Sequence, residues 1–161
     1  MIAFVGFSHL SICSAVAAAE KGFKVVIFDF KKRNDYFNNG KFSLYEPKLE
    51  YYFNKNKKKI IFSSDYLLLK KCNLIFISKD IDTNKNNSSN FKTINLLIKK
   101  IKKIISKKIT LVILSQVVPG FTEKIIWNKN KLFYQVETLI FGKAINRALN
   151  PSRIIIGSNF K

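Results

Sequence analysis

The residues best suited to chemistry fall in three short runs and at one isolated acid. Gly6-Phe7-Ser8-His9-Leu10-Ser11 ends an apolar stretch and opens a helical one. A glycine turn of this kind aims the first amides of a helix at a phosphate, where the helix dipole favours negative charge. In a dinucleotide fingerprint the first glycine makes the tight turn. The second lets the backbone approach the pyrophosphate, and the third lets helix and strand pack closely. Only the first is kept here. Ser8 and Ser11 hold the other two places, each adding a Cβ and a hydroxyl, and Ser8 can offer its N–H and Oγ to phosphate. Asp29 ends the next apolar run, where a carboxylate accepts hydrogen bonds from ribose hydroxyls and repels a 2′-phosphate, favouring NAD over NADP. The alternative is an ordinary strand–helix turn and a strand-end Asp. His9, the only histidine, reads as a turn residue over the cofactor site rather than as a general base.

Leu114-Ser115-Gln116-Val117-Val118-Pro119-Gly120-Phe121-Thr122 carries a hydroxyl and an amide at the end of an apolar run. In open α/β sheets ligands lie beyond the carboxyl ends of strands, so Ser115 and Gln116 are placed to touch one. The alternative is a turn that only caps the next helix. The third run, Tyr134 to Ala144, closes on Asn150-Pro151-Ser152-Arg153. It has no clean helical or strand period, and Glu137 is its one carboxylate, with Gly142 five residues on. It reads as an irregular site loop between two strands.

The elements that position these runs follow from periodicity. Ile2–Val5 and Val25–Phe28 read as strands flanking a helix over Leu10–Lys21, with Gly22 at its C-cap. Further strands are expected at Ile60–Phe62, Leu74–Ile77, Leu111–Leu114, Leu132–Tyr134 and Ile154–Ile156. Ser64-Asp65 caps a helix through Lys71, and Lys79 to Asn90 is a polar loop. Ile94, Leu97, Ile98, Ile101, Ile104 and Ile105 fall on one helical face with lysines opposite. Pro119 suits the first turn of a helix running to Trp127, with Thr122 and Glu123 in that turn. This alternation predicts an α/β, Rossmann-like, doubly wound and mostly parallel sheet with helices on both faces, in a single domain over residues 1–161.

The formal net charge of +19 suggests a phosphate or nucleic-acid binder. The basic residues are 26 Lys and only 3 Arg, whereas Arg is preferred for bidentate phosphate and base contacts. The excess of Lys, Asn, Ile and Phe matches AT-rich coding bias and argues against a dedicated nucleic-acid role. The clusters Lys55 to Lys59 and Lys99 to Lys108 read as solvated faces, with an anion patch or membrane-surface helix as the alternative. Tyr51, Tyr52 and Phe53 read as core or interdomain contacts rather than a stacking platform for single strands. Cys13 and Cys72 lack metal spacing and read as reduced cytosolic thiols, so no metal is expected. No apolar run reaches the roughly 18 residues of a membrane span. No Lys or Arg precedes the first apolar stretch, which argues against a signal peptide and for a cytoplasmic location.

Tyr45-Glu46-Pro47, Ser115 to Thr122, Glu137 to Ala144 and Asn150-Pro151-Ser152-Arg153 with Gly157 occur in order across nearly the whole chain. This arrangement resembles the N-terminal NAD-binding domain of the UDP-glucose/GDP-mannose dehydrogenase family. The resemblance implies that Ser115, Gln116 and Val117 contact the nicotinamide half of NAD. It implies that Glu137 assists acid/base steps and that Glu137, Thr138 and Leu139 meet the sugar nucleotide. With the glycine turn, the expected cofactor contacts are Gly6, Phe7, Ser8, His9, Leu10, Asp29, Arg33, Ser115, Gln116 and Val117. The family oxidises a nucleotide sugar at C6 to a carboxylate, reducing two NAD and using a Cys thiolate from a later domain. Neither Cys13 nor Cys72 matches that nucleophile, so the resemblance implies an oxidoreductase domain whose catalytic Cys comes from a missing domain or partner chain. The alternative is a non-catalytic nucleotide-binding or interaction module. The chain departs from the family at Ser78-Lys79-Asp80, where a Pro-containing turn is usual, and at Val136, Phe141 and Arg147. Apolar surface left exposed on a lone domain predicts self-association into homo-oligomers.

Overall fold

A computed structural model of the protein describes residues 1–30, 37–38, 41–42, 45–84, 86 and 88–158. Strand β1 (Ile2–Val5) runs into helix α1 (His9–Glu20), whose start is fixed by Ser8 as N-cap and Ser11 in a reciprocal capping box. Lys21 and Gly22 end the helix, Gly22 at a φ of 102°. β2 (Val25–Phe28) follows and is wholly buried, as expected of a central strand covered on both faces. β3 (Phe37–Asn38) and β4 (Lys41–Phe42) make a small antiparallel pair. Then come α2 (Leu49–Asn56), β5 (Ile60–Ser63) and α3 (Tyr66–Lys70), the last capped by Asp65 through Leu67 N–H at 2.9 Å. β6 (Leu74–Ile77) leads to the polar loop, in which β7 (Asp82–Thr83) pairs with β8 (Ser89–Asn90). α4 (Lys92–Ile104), β9 (Thr110–Ile113), β10 (Leu132–Gln135), α5 (Ala144–Leu149) and β11 (Ile156–Ser158) complete the order.

The main sheet has seven strands in the order β11-β10-β9-β6-β1-β2-β5, all parallel except β11. Setting β11 aside, the spatial order is that of a Rossmann sheet, with the reversal of strand order falling between β1 and β6. Alternation along β1 divides the core. Phe4 joins Ile12, Val16, Phe53 and Ile145 on the face covered by α1, α2 and α5. Ala3 and Val5 join Leu69, Ile98, Ile101 and Trp127 on the face covered by α3 and α4. The α4 lysines stand opposite the buried Ile94, Leu97, Ile98 and Ile101, as its period requires.

Three expectations are corrected. The helix read from Pro119 to Trp127 is only a single 3₁₀ turn, Thr122–Lys124. Phe121 and Trp127 are both buried on one side of the sheet, and six positions apart they would point to different sides of an α-helix at 3.6 residues per turn. Trp127 Nε1–H also donates to Ile109 O at 3.1 Å, and these tertiary anchors outweigh the local helix signal. The run from Tyr134 to Arg153, read as irregular, contains α5. The last strand lies at Ile156–Ser158, not Ile154–Ile156, and pairs antiparallel with β10, Gly157 opposite Tyr134. In addition, α2 carries the Tyr51, Tyr52 and Phe53 cluster: Phe53 is core, Tyr52 packs against it and Tyr51 is exposed.

Candidate functional site

The carboxyl ends of the central strands are laced together in a line. Gly6 N–H donates to Phe28 O at 2.9 Å, Ser78 N–H to Val5 O at 2.9 Å and Leu114 N–H to Ile77 O at 2.8 Å. Gly6, Asp29, Ser78 and Ser115 therefore stand side by side along one edge, at the reversal of strand order where open α/β sheets hold their ligands. Gly6 has a φ of 98°, and a Cβ built on it would lie 2.7 Å from Lys79 Cβ and 2.9 Å from Lys79 Cα. The first fingerprint position must stay glycine for two reasons, its dihedral and the Lys79 backbone crossing above it.

Two cavities open on either side of that crossing. One, of about 300 Å³, is lined by Gly6, Asp29, Phe30, Lys79, Leu97 and Lys100 among others. Asp29 Oδ2 accepts from Phe7 N–H at 3.2 Å, which ties the β2 terminus to the glycine turn. Lys100 Nζ lies 5.0 Å from the Phe30 ring centroid, a cation–π contact at the rim. The other cavity, of about 320 Å³, is lined by His9, Leu10, Lys79, Asp80, Gln116, Glu137, Leu139 and Phe141 among others. Lys79 is the one residue common to both. A third cavity of about 350 Å³ lies beyond the loop, against Ala17, Ala18, Phe76 and Arg147. Its walls are chiefly apolar, but it shares Leu10, Glu137 and Leu139 with the second cavity and adds Thr138, Arg147 and Arg153.

The start of α1 is closed on itself. Ser8 N–H donates to Ser11 Oγ at 2.8 Å, Ser11 N–H donates to Ser8 Oγ at 3.0 Å and Ser11 Oγ–H donates to Ser8 O at 2.8 Å. Ser8 Oγ–H donates to Ser78 O at 2.5 Å. Both serines are buried. The phosphate donors expected of Ser8 are thus engaged within the protein. Among the described residues, the His9 and Leu10 amides make no hydrogen bond to protein and are what the helix start leaves for an anion. Asp80, which lines the second cavity, has its carboxyl pushed up, chiefly by desolvation, against the lowering influence of Lys79, His9 and the Ser8 hydroxyl.

The loop carrying Glu137 is held from two directions. Gln116 Nε2–H donates to Glu137 Oε2 at 2.7 Å, and Leu139 N–H donates to Glu137 Oε1. Glu46, buried, accepts from Gly142 N–H at 2.9 Å, from Ala144 N–H at 2.7 Å and from His9 Nε2–H at 3.1 Å. The carboxylate of the Tyr-Glu-Pro segment is therefore the missing cap of α5, where negative charge also suits the helix dipole. His9 is committed to Glu46 and stacks on Phe141 at 4.6 Å between centroids, in keeping with a positioning role. Cys13 Sγ lies 3.5 Å from the same His9 nitrogen, and burial, then the Glu46 charge, pushes its thiol up; burial does the same to Cys72. Neither is an available thiolate.

The structure brings Gly6 and Asp29 together at one cavity, and His9, Leu10, Gln116, Glu137 and Leu139 at the other. It directs some expected residues elsewhere. The Phe7 side chain packs in the core, 5.7 Å from Phe62, and only its amide reaches the turn. Ser115 is fully buried, with Oγ–H donating to Ile77 O at 3.3 Å, so it braces the edge rather than facing a ligand. Val117 packs against the α4 side of the core, and Thr138 faces the third cavity. Arg33 lies outside the described residues. Lys79, Glu46, Lys100 and Phe141 were missed as site residues. The available signals for Lys79 are its position just past the strand that neighbours β1 and the departure of Ser78-Lys79-Asp80 from the family's turn. Among the described residues no cluster of three or more His, Cys, Asp or Glu side chains is placed to hold a metal, and no helix is long and apolar enough to cross a membrane.

Comparison with known proteins agrees with this layout. Residues 1–161 match the UDP-glucose/GDP-mannose dehydrogenase family, NAD binding domain. The chain superposes on NDP-N-acetyl-D-galactosaminuronic acid dehydrogenase from Methanosarcina mazei with a TM-score of 0.87 at 19% identity, over 99% of this chain and 39% of that one. It superposes on a UDP-glucose dehydrogenase from Pyrobaculum islandicum with a TM-score of 0.85 at 20% identity, over 99% and 40%. For GDP-mannose dehydrogenase from Pseudomonas aeruginosa the values are 0.84 and 19%, over 98% and 40%. At these identities the superpositions establish the fold. The chain spans about 40% of the length of these structures. No curated protein matches it.

Proposed function

Because the chain belongs to the UDP-glucose/GDP-mannose dehydrogenase family through its NAD-binding domain, we propose that it binds NAD across the two cavities and offers Glu137 to a nucleotide sugar undergoing oxidation at C6. The observation that carries this reading is the pair of cavities that share Lys79, with Gly6 and a strand-end acid in one and the Gln116–Glu137 pair in the other. Asp29 receives the adenosine ribose, and its charge disfavours a 2′-phosphate, so NAD is preferred over NADP. The nicotinamide half lies toward Gln116. When bound, NAD supplies the hydride acceptor.

Glu137 Oε2, held by Gln116, is the proton acceptor or relay at the sugar, while Leu139 N–H fixes the other oxygen and the rotamer. A carboxylate with one donor on each oxygen is pre-aligned and keeps free lone pairs to take a proton. The thiolate that the family uses for its second oxidation is not furnished by Cys13 or Cys72, so this reading assigns it to another segment or partner chain. A second reading, a non-catalytic nucleotide-binding module, draws support from the closed capping box, which withdraws two amides from the diphosphate. Titrating UDP-glucose and GDP-mannose into the NAD-saturated chain separates the two. The dehydrogenase reading expects one to bind and Glu137→Ala to weaken it about tenfold; no binding of either nucleotide sugar sinks the substrate half of the proposal.

A further inference from the structure

A dinucleotide's diphosphate carries two negative charges, and a Rossmann domain ordinarily meets them with backbone amides at a glycine-rich helix start. Here Ser8 and Ser11 saturate two of those amides with their own hydroxyls, and both side chains are buried, so a ligand cannot displace them without opening the capping box. Only the His9 and Leu10 amides are left, which is a thin complement for a doubly charged group. The deficit falls directly beneath Lys79. Its backbone crosses so close over Gly6 that a Cβ there would clash with it, and it is the one residue common to the two cavities. A dinucleotide occupying both halves must run its diphosphate past this residue. Among the described residues Lys79 Nζ has no ion-pair partner within 4 Å of it, and the nearby Asp80 is the only carboxylate flanking it in sequence.

We infer that Lys79 is the cation that binds the bridging diphosphate, standing in for the helix amides that Ser8 and Ser11 have closed. The inference rests on the dinucleotide-binding reading and adds a side-chain diphosphate ligand to it. It gives the departure at Ser78-Lys79-Asp80 a purpose, since a charged turn replaces amide contacts with a direct ion pair. It also assigns Asp80 an opposing part. The Asp80 carboxylate lines the nicotinamide-side cavity and competes with the diphosphate for the Lys79 charge.

The test is calorimetric titration of the full chain and of Lys79→Gln, Lys79→Met, Lys79→Arg and Asp80→Asn with NAD, ADP and adenosine, at two salt concentrations. Lys58→Gln, an exposed lysine far along the chain, controls for net charge. The expected result is that Lys79→Gln and Lys79→Met each weaken NAD and ADP about tenfold or more. Adenosine stays within about twofold, the salt dependence flattens, and Lys79→Arg and Lys58→Gln bind nearly as the parent. Asp80→Asn should tighten NAD several-fold. Met retains the aliphatic stem, so a loss seen with both variants and with unchanged thermal unfolding is not a folding defect. If the parent binds NAD and the Lys79 variants bind it equally well, or lose adenosine in equal measure, the inference is overturned while NAD binding stands. If the parent chain binds no NAD, the dinucleotide reading falls and takes this inference with it.

Discussion

Gly6 and Gly22 share a positive φ, 98° and 102°, yet a Cβ on Gly22 would meet nothing within 4 Å, whereas one on Gly6 would strike the Lys79 backbone. Gly22→Ala should therefore cost only the conformational term, about 1 kcal/mol, and Gly6→Ala at least about twice that, read from urea unfolding midpoints. Equal losses would mean that the Lys79 crossing is looser than described. Glu46 makes a second case. Its carboxylate serves Gly142, Ala144 and His9 while buried, so Glu46→Ala strands three donors and should destabilise by about 3 kcal/mol. A loss under about 1 kcal/mol would show that water replaces it. The two residues differ in how they could be read from sequence. Gly6 was legible because the turn that follows β1 imposes glycine locally, and Asp29 because it ends the next apolar run. Glu46 was legible as part of the Tyr45-Glu46-Pro47 motif but its capping role was not, because its partners lie 96 and 98 positions away.

Among the elements, the same contrast of local and distant causes decides what could be foreseen. The β1–α1–β2 unit, β6, α4 and β9 were legible because their signals are local: buried runs of apolar residues, an apolar stripe and caps. α5 was hidden because Lys143, at its N-cap, provides no side-chain cap and the cap comes from Glu46. The 3₁₀ turn at Thr122–Lys124 was overstated because Phe121 and Trp127 must both reach one side of the sheet. The N-terminus of α1 carries the sharpest test at this scale. Ser11→Ala removes the two bonds its Oγ makes to Ser8 N–H and C=O, leaves Ser11 N–H on Ser8 Oγ, and should cost about 1–2 kcal/mol of stability. The same change frees the Ser8 amide to face a phosphate, so NAD affinity should rise several-fold even as the melting temperature drops. A fall in affinity would mean that the capping box shapes the diphosphate site instead of competing with it.

Across the whole molecule, a net charge of +19 opposes self-association, while the edge at β11, which ends the sheet among the described residues, invites it. Ile154, Ile155 and Ile156 are all exposed beside that edge. Sedimentation should find association that grows with protein concentration and with salt, which screens the charge, and Ile156→Lys should suppress it without changing unfolding midpoints. A chain that stays monomeric at high salt would contradict this. NAD binding in the crevice between β1 and β6 is tested by calorimetric titration of the chain with NAD and NADP, with Asp29→Ala as the comparison. The expected result is a single NAD site, weaker binding of NADP, and a smaller NAD preference in Asp29→Ala; no heat and no thermal shift at saturating NAD would rule dinucleotide binding out.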